Sequence, residues 1–82
     1  MQGRKDYQNH DPIVGTNISR LRKEHGMSAV DVVARLQTLG LSITAAVFCH
    51  VEKGRNNPSV DLLIALKKIF QCDYNDFFRI AP

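Results

Sequence analysis

From Ile13 onward, apolar residues recur every three to four positions. Val14, Ile18 and Leu21 share one face of a helix, while Arg20, Lys23 and Glu24 fall elsewhere. Gly26 stops this helix as a left-handed C-terminal cap does. Ser28 opens a second helix with Asp31 at the capping-box position, and Val32, Val33, Leu36 and Leu39 supply its buried stripe. Gly40 breaks that helix, Leu41-Ser42-Ile43 turns, and Thr44 caps a third helix that directs Val47 or Phe48, together with Val51, inward. Gly54 ends the third helix and Arg55-Asn56-Asn57-Pro58 is a loop by composition. A fourth helix begins at Ser59 or the residue before it, with Leu62, Leu63, Leu66, Ile69 and Phe70 on its apolar side. A short fifth helix is expected from Asp73, with Asp76 three residues on and Phe77 and Phe78 as anchors. No segment alternates as a strand does, and none repeats, so the expected class is all-α. Residues 1–12 are polar and aperiodic and read as a flexible arm, and residues 13–82 as one domain.

Composition narrows what such a domain can do. Eighty-two residues suffice for one core, but not for a catalytic domain plus a separate ligand domain. The net charge of +3 and pI near 9.1 permit a polyanionic partner without requiring one. No apolar run reaches the length of a membrane span, and "MQGRKDYQNHDP" lacks the hydrophobic segment of a signal peptide, so a cytoplasmic location is expected. Cys49 and Cys72 have no metal-ligand spacing and are expected to be reduced thiols. No nucleophile, base and orienting group occur at meaningful spacing, no glycine-rich phosphate loop is present, and His10, His25 and His50 are scattered. An enzyme is therefore not expected, nor a cofactor, metal or small-molecule ligand.

Three stretches in order carry a resemblance: "LRKEHGMS" at 21–28, "VEKGRNNPS" at 51–59 and "CDYNDFF" at 72–78. Together they resemble the end of the first helix, the loop after the recognition helix and the last helix of the phage repressor and Cro-like (XRE) family of DNA-binding domains. The likeness spans about residues 14–78, and the longer linker "LQTLGLSIT" is similar to the subset with an extended second helix. It implies a compact five-helix bundle of the lambda-repressor-like type, whose second and third helices form a helix-turn-helix. It also implies an ion pair between Arg22 and Glu52 that ties the first helix to the third; without it these are two exposed charges that never meet.

The resemblance further implies which residues meet DNA. The third helix, about residues 44–53, would enter the major groove with Ala45, Ala46, Cys49 and His50 outward, and only His50 is a strong hydrogen-bonding group. Ala45 and Ala46 can touch thymine methyls but cannot supply the roughly 1–3 kcal/mol of a bidentate contact, so base discrimination is expected to be weak or to rest on DNA shape. Lys53, Arg55 and Asn56, with Ser28, Arg35 and Thr44, are the implied phosphate contacts. Arg35 is equally well a solvated charge; the alternative for the loop is a turn that simply needs Gly and Pro, with charges for solubility. Ala29 stands where the family often has a phosphate-binding Gln, and Val33 where a small Ala lets the second and third helices approach; a looser crossing follows. Arg4 and Lys5 of the arm can lie on phosphates or in a minor groove. Cys49 invites oxidative control, but only His50 is near enough in sequence to activate its thiol.

Two functions compete on these residues. One is a DNA-binding transcriptional regulator, in the simplest case a repressor, acting on double-stranded DNA as a homodimer. The other is a protein-interaction module that keeps the fold and has lost sequence-specific reading, with Ala45, Ala46, Val47 and Cys49 as an apolar patch. Phe77, Phe78 and Ile80 either pair across a two-fold axis or close the monomer's own core.

Overall fold

The computed structural model describes residues 13–80, and the arm with Arg4 and Lys5 lies outside them. The described residues form four α-helices and no strand: α1 (Ile13–Glu24), α2 (Ala29–Thr38), α3 (Ala45–Glu52) and α4 (Val60–Phe70), followed by a 3-10 helix at Tyr74–Phe78. Among them, no helix is long and apolar enough to cross a membrane.

The helix starts follow from local hydrogen bonding. The hydroxyl oxygens of Ser28, Thr44 and Ser59 each accept the otherwise unpaired backbone N–H three residues on, from Asp31, Val47 and Leu62. Helix ends are equally well marked. At the end of α2, Gly40 lies at φ 97° and the N–H of Leu41 donates to Leu36 O at 3.0 Å. That motif reverses the chain at Gly40, the only residue type that takes such a φ without strain.

Ile18 and Leu21 of α1, Val32, Val33 and Leu36 of α2, Phe48 and Val51 of α3, and Leu62, Ala65, Leu66 and Phe70 of α4 form one core, which Phe77 closes. α3 lies against both α1 and α2, while α2 also meets α4 and α1 meets the 3-10 helix. Val33 is buried within this core.

Three expectations are corrected. The fifth helix is a single 3-10 turn of five residues, too short to nucleate an α-helix on its own. It is held by Asp73 N–H donating to the Asp76 carboxylate at 3.0 Å and by burial of Phe77; Phe78, expected as a second anchor, is 54% exposed. Leu39 leaves the buried stripe because α2 ends at Thr38, and Leu41 packs against the core instead.

Two polar or small positions inside α1 decide how the helices meet. A Cβ built on Gly15 would collide with Val51 O and lie 2.6 Å from Glu52 O, so the α1 backbone rests directly on the last turn of α3. Among the described residues, Asn17 is the one polar residue that is buried. Its amide donates to Phe77 O at 2.9 Å and Arg79 O at 2.8 Å, and its oxygen accepts from Arg20 Nη2 at 3.2 Å. All of its polar groups are engaged, as burial requires.

Candidate nucleic-acid interface

The orientation of α3 is set by two side chains. Phe48 is fully buried and Val51 nearly so, which fixes the inward face and leaves Ala46, Val47 and His50 outward. Ala46, His50 and the C-cap residue Lys53 follow one another at helical spacing along that face. The sequence left Val47 and Phe48 open as inward positions; Phe48 takes the role, and Val47 is 43% exposed. Ala45 and Cys49, expected outward, are half-buried, with Ala45 packed against the core. The exposed set is therefore Ala46, Val47 and His50; Val47 belonged to the apolar patch expected of a protein-interaction module and not to the implied base contacts.

The C-terminal end of α3 is bolted to α1. Arg22 Nε donates to Glu52 Oε2 at 2.7 Å and Nη2 to Oε1 at 3.1 Å, a two-pronged pair with both side chains largely buried. Arg22 Nη1 also donates to Met27 O at 3.0 Å, so one guanidinium joins α1, the α1–α2 turn and α3. The hydrogen bond to Glu52 raises the Arg22 pKa against the opposing effect of burial, with smaller contributions from the Glu52 charge and Cys49.

The loop that follows is shaped by the end of the helix. Gly54 at φ 79° donates its N–H to Val51 O at 3.1 Å, and Arg55 N–H donates to His50 O at 2.8 Å. This double closure turns the chain away from the helix axis and leaves the side chains of Lys53, Arg55 and Asn56 exposed. Two cations and an amide thus stand next to the outward face of α3.

The remaining implied phosphate contacts are disposed differently. Ser28 and Thr44 are exposed, but their hydroxyl oxygens are committed as caps. At the start of α2, Ser28 N–H also donates to Asp31 Oδ2 at 2.9 Å, so a carboxylate already occupies the anion-favouring end of the helix. Hydrogen bonds from the backbone N–H and side chain of Ser28 hold the Asp31 carboxyl below its ordinary pKa, with a smaller contribution from Arg35. Arg35 is exposed in the last turn of α2. Ala29 is half-buried against the core.

His25 has a local role: its Nδ1 lies 2.8 Å from Leu21 O and its ring packs on Phe70 with centroids 5.4 Å apart. Both cysteines are free thiols, and burial pushes the Cys72 pKa up. Among the described residues, no group of three or more His, Cys, Asp or Glu side chains is placed to hold a metal ion. Compared with known proteins, the chain matches no family model, no curated protein and no solved structure.

Proposed function

We propose that the protein is a cytoplasmic DNA-binding transcriptional regulator, in the simplest case a repressor. On this reading α2, the turn and α3 act as a helix-turn-helix of the lambda-repressor-like type, with α3 in the major groove and Lys53, Arg55 and Asn56 on phosphates. A homodimer would span two half-sites about 34 Å apart. The observation that carries the reading is the Arg22–Glu52 pair, which holds α3 by its C-terminal end while the adjoining loop turns its cations outward. The resemblance to the phage repressor and Cro-like family supports the same roles for the same residues.

The exposed side chains define how such a protein would read DNA. Ala46 and Val47 offer apolar contact to thymine methyls, and His50 offers one hydrogen-bonding ring. Affinity then comes chiefly from phosphates, and discrimination from methyl contacts and DNA shape. The test is anisotropy binding to random duplexes at two salt concentrations, followed by sequencing of the retained fraction. An enriched half-palindrome and a steep salt slope are expected, and Lys53→Glu with Arg55→Glu is expected to abolish binding. The competing reading, a protein-interaction module, is favoured by the exposed apolar pair Ala46 and Val47; absence of duplex binding at low salt would decide for it.

A further inference from the structure

α3 is held differently at its two ends. Its last turn carries Glu52 on Arg22 and lies against the α1 backbone at Gly15. Its first turn follows residues 39–44, a stretch in which the chain must come back from the end of α2. The N–H groups of Leu39, Gly40 and Leu41 are tied to α2, the last of them by Leu41 N–H donating to Leu36 O at 3.0 Å. Ser42 and Ile43 come next, and among the described residues one hydrogen bond reaches them: Gln37 Nε2 donates to Ile43 O at 2.9 Å. The acceptor is a carbonyl oxygen, so the amide must present its nitrogen there.

That carbonyl belongs to the peptide group that leads into Thr44. Thr44 Oγ1 in turn accepts from Val47 N–H at 3.2 Å, and Thr44 O accepts from Phe48 N–H at 3.0 Å, the bonds on which α3 starts. Gln37 therefore reaches Val47 through two links, the Ile43 carbonyl and the Thr44 cap. The Gln37 side chain is exposed and belongs to neither the core nor a helix cap, so the turn is the one place where it is engaged.

We propose that Gln37 is the positioning residue for the N-terminal end of α3: its amide locks the peptide ahead of the Thr44 cap and so fixes where Ala46 and Val47 stand. Without that lock the first turn of α3 pivots about the Arg22–Glu52 pair, which holds the far end. Apolar contact is short-ranged, and a gap of roughly 0.5–1 Å forfeits about a quarter to a half of the attraction. A pivot therefore weakens contact at Ala46 and Val47, while Lys53, Arg55 and Asn56 stay beside the anchored end and keep their phosphates. The consequence for base reading rests on the proposed DNA function; the locking of the turn does not.

The experiment compares wild type with Gln37→Met, which keeps the side chain's length and removes its donor, in two measurements on the full chain. In amide hydrogen exchange without DNA, the N–H groups of Val47 and Phe48 are expected to exchange about fivefold faster in the variant, as the loss of one hydrogen bond predicts, with Val51 and Glu52 unchanged. In anisotropy binding, affinity for the duplex that wild type enriches is expected to fall about fivefold, and affinity for a random duplex not at all. A merely structural role would lower both affinities together; positioning changes their ratio. Gln37→Lys, which restores an N–H donor, is expected to restore the exchange rates and the ratio. Unchanged exchange at Val47 and Phe48, equal acceleration at Val51 and Glu52, or an unchanged ratio would each overturn the proposal. If wild type bound no duplex at all, the DNA reading would fall, and the exchange comparison would still decide whether Gln37 locks α3.

Discussion

The two sides of α3 differ sharply in chemistry. The inner side carries Phe48 and Val51 in the core and Glu52 on Arg22, with the backbone of α1 laid against it at Gly15. The outer side carries Ala46, Val47 and His50, and its one long side chain, Lys53, stands at the C-cap beyond the last turn. Where α3 stands is thus specified by many interlocking contacts, and what it touches by few. On the proposed function, a helix of this kind suits recognition through placement, phosphates and shape.

The comparison breaks most completely at the ion pair. Arg22→Ala or Glu52→Ala leaves the other charge largely buried and unpaired, which is expected to cost about 3–5 kcal/mol, read as a lower urea midpoint. Replacing both, by Arg22→Met with Glu52→Leu, should recover most of that loss, because an apolar pair has no charge to strand. Gly15→Ala comes next, at about 1–3 kcal/mol, since the added methyl meets backbone carbonyls rather than a movable side chain.

The outer side responds on a smaller scale. Replacing a contacted thymine by uracil removes one methyl and is expected to weaken duplex binding about fourfold, from the ~0.8 kcal/mol of one buried carbon. Val47→Ala should make binding indifferent to that replacement while leaving Tm unchanged, and unchanged wild-type binding to uracil duplexes would rule out methyl reading.

The smallest effect is expected from pH. The carboxyls of Asp31 and Asp76 are held below their ordinary pKa, chiefly by the backbone N–H groups of Ser28 and Asp73 respectively. A depressed folded-state pKa contributes stability above the unfolded value near pH 4, and that contribution is lost as pH falls through the folded value. Asp31→Asn with Asp76→Asn should therefore lower Tm slightly at pH 7 and flatten its decline below about pH 4.

Much of the fold is legible because α2 is marked at both ends, by Ser28 with Asp31 and by Gly40, and α3 and α4 open on the caps Thr44 and Ser59. The Arg22–Glu52 pair spans thirty residues and came from the family resemblance, since spacing alone gives no reason to join them. The facing of α3 is poorly written in the chain. "AAVFCHVE" is apolar nearly all round its first turns, so periodicity leaves Val47 and Phe48 unresolved and does not reveal that Ala45 and Cys49 turn partly inward. Gly15 did leave a signal: a glycine inside a helix costs about 1 kcal/mol and so points to a close approach. Asn17 left none, because its partners are the backbone carbonyls of Phe77 and Arg79, which have no sequence signature.

That amide has a kinetic meaning. It joins residues 60 and 62 positions apart, so its bonds require closure of a long loop and are expected to form late, after the helices have come together. Interactions absent from the folding transition state govern how fast the native state is left rather than how fast it is reached. Asn17→Ala is therefore expected to steepen the unfolding rate in a stopped-flow chevron and leave the folding rate unchanged, which makes Asn17 the latch that sets the lifetime of the folded domain.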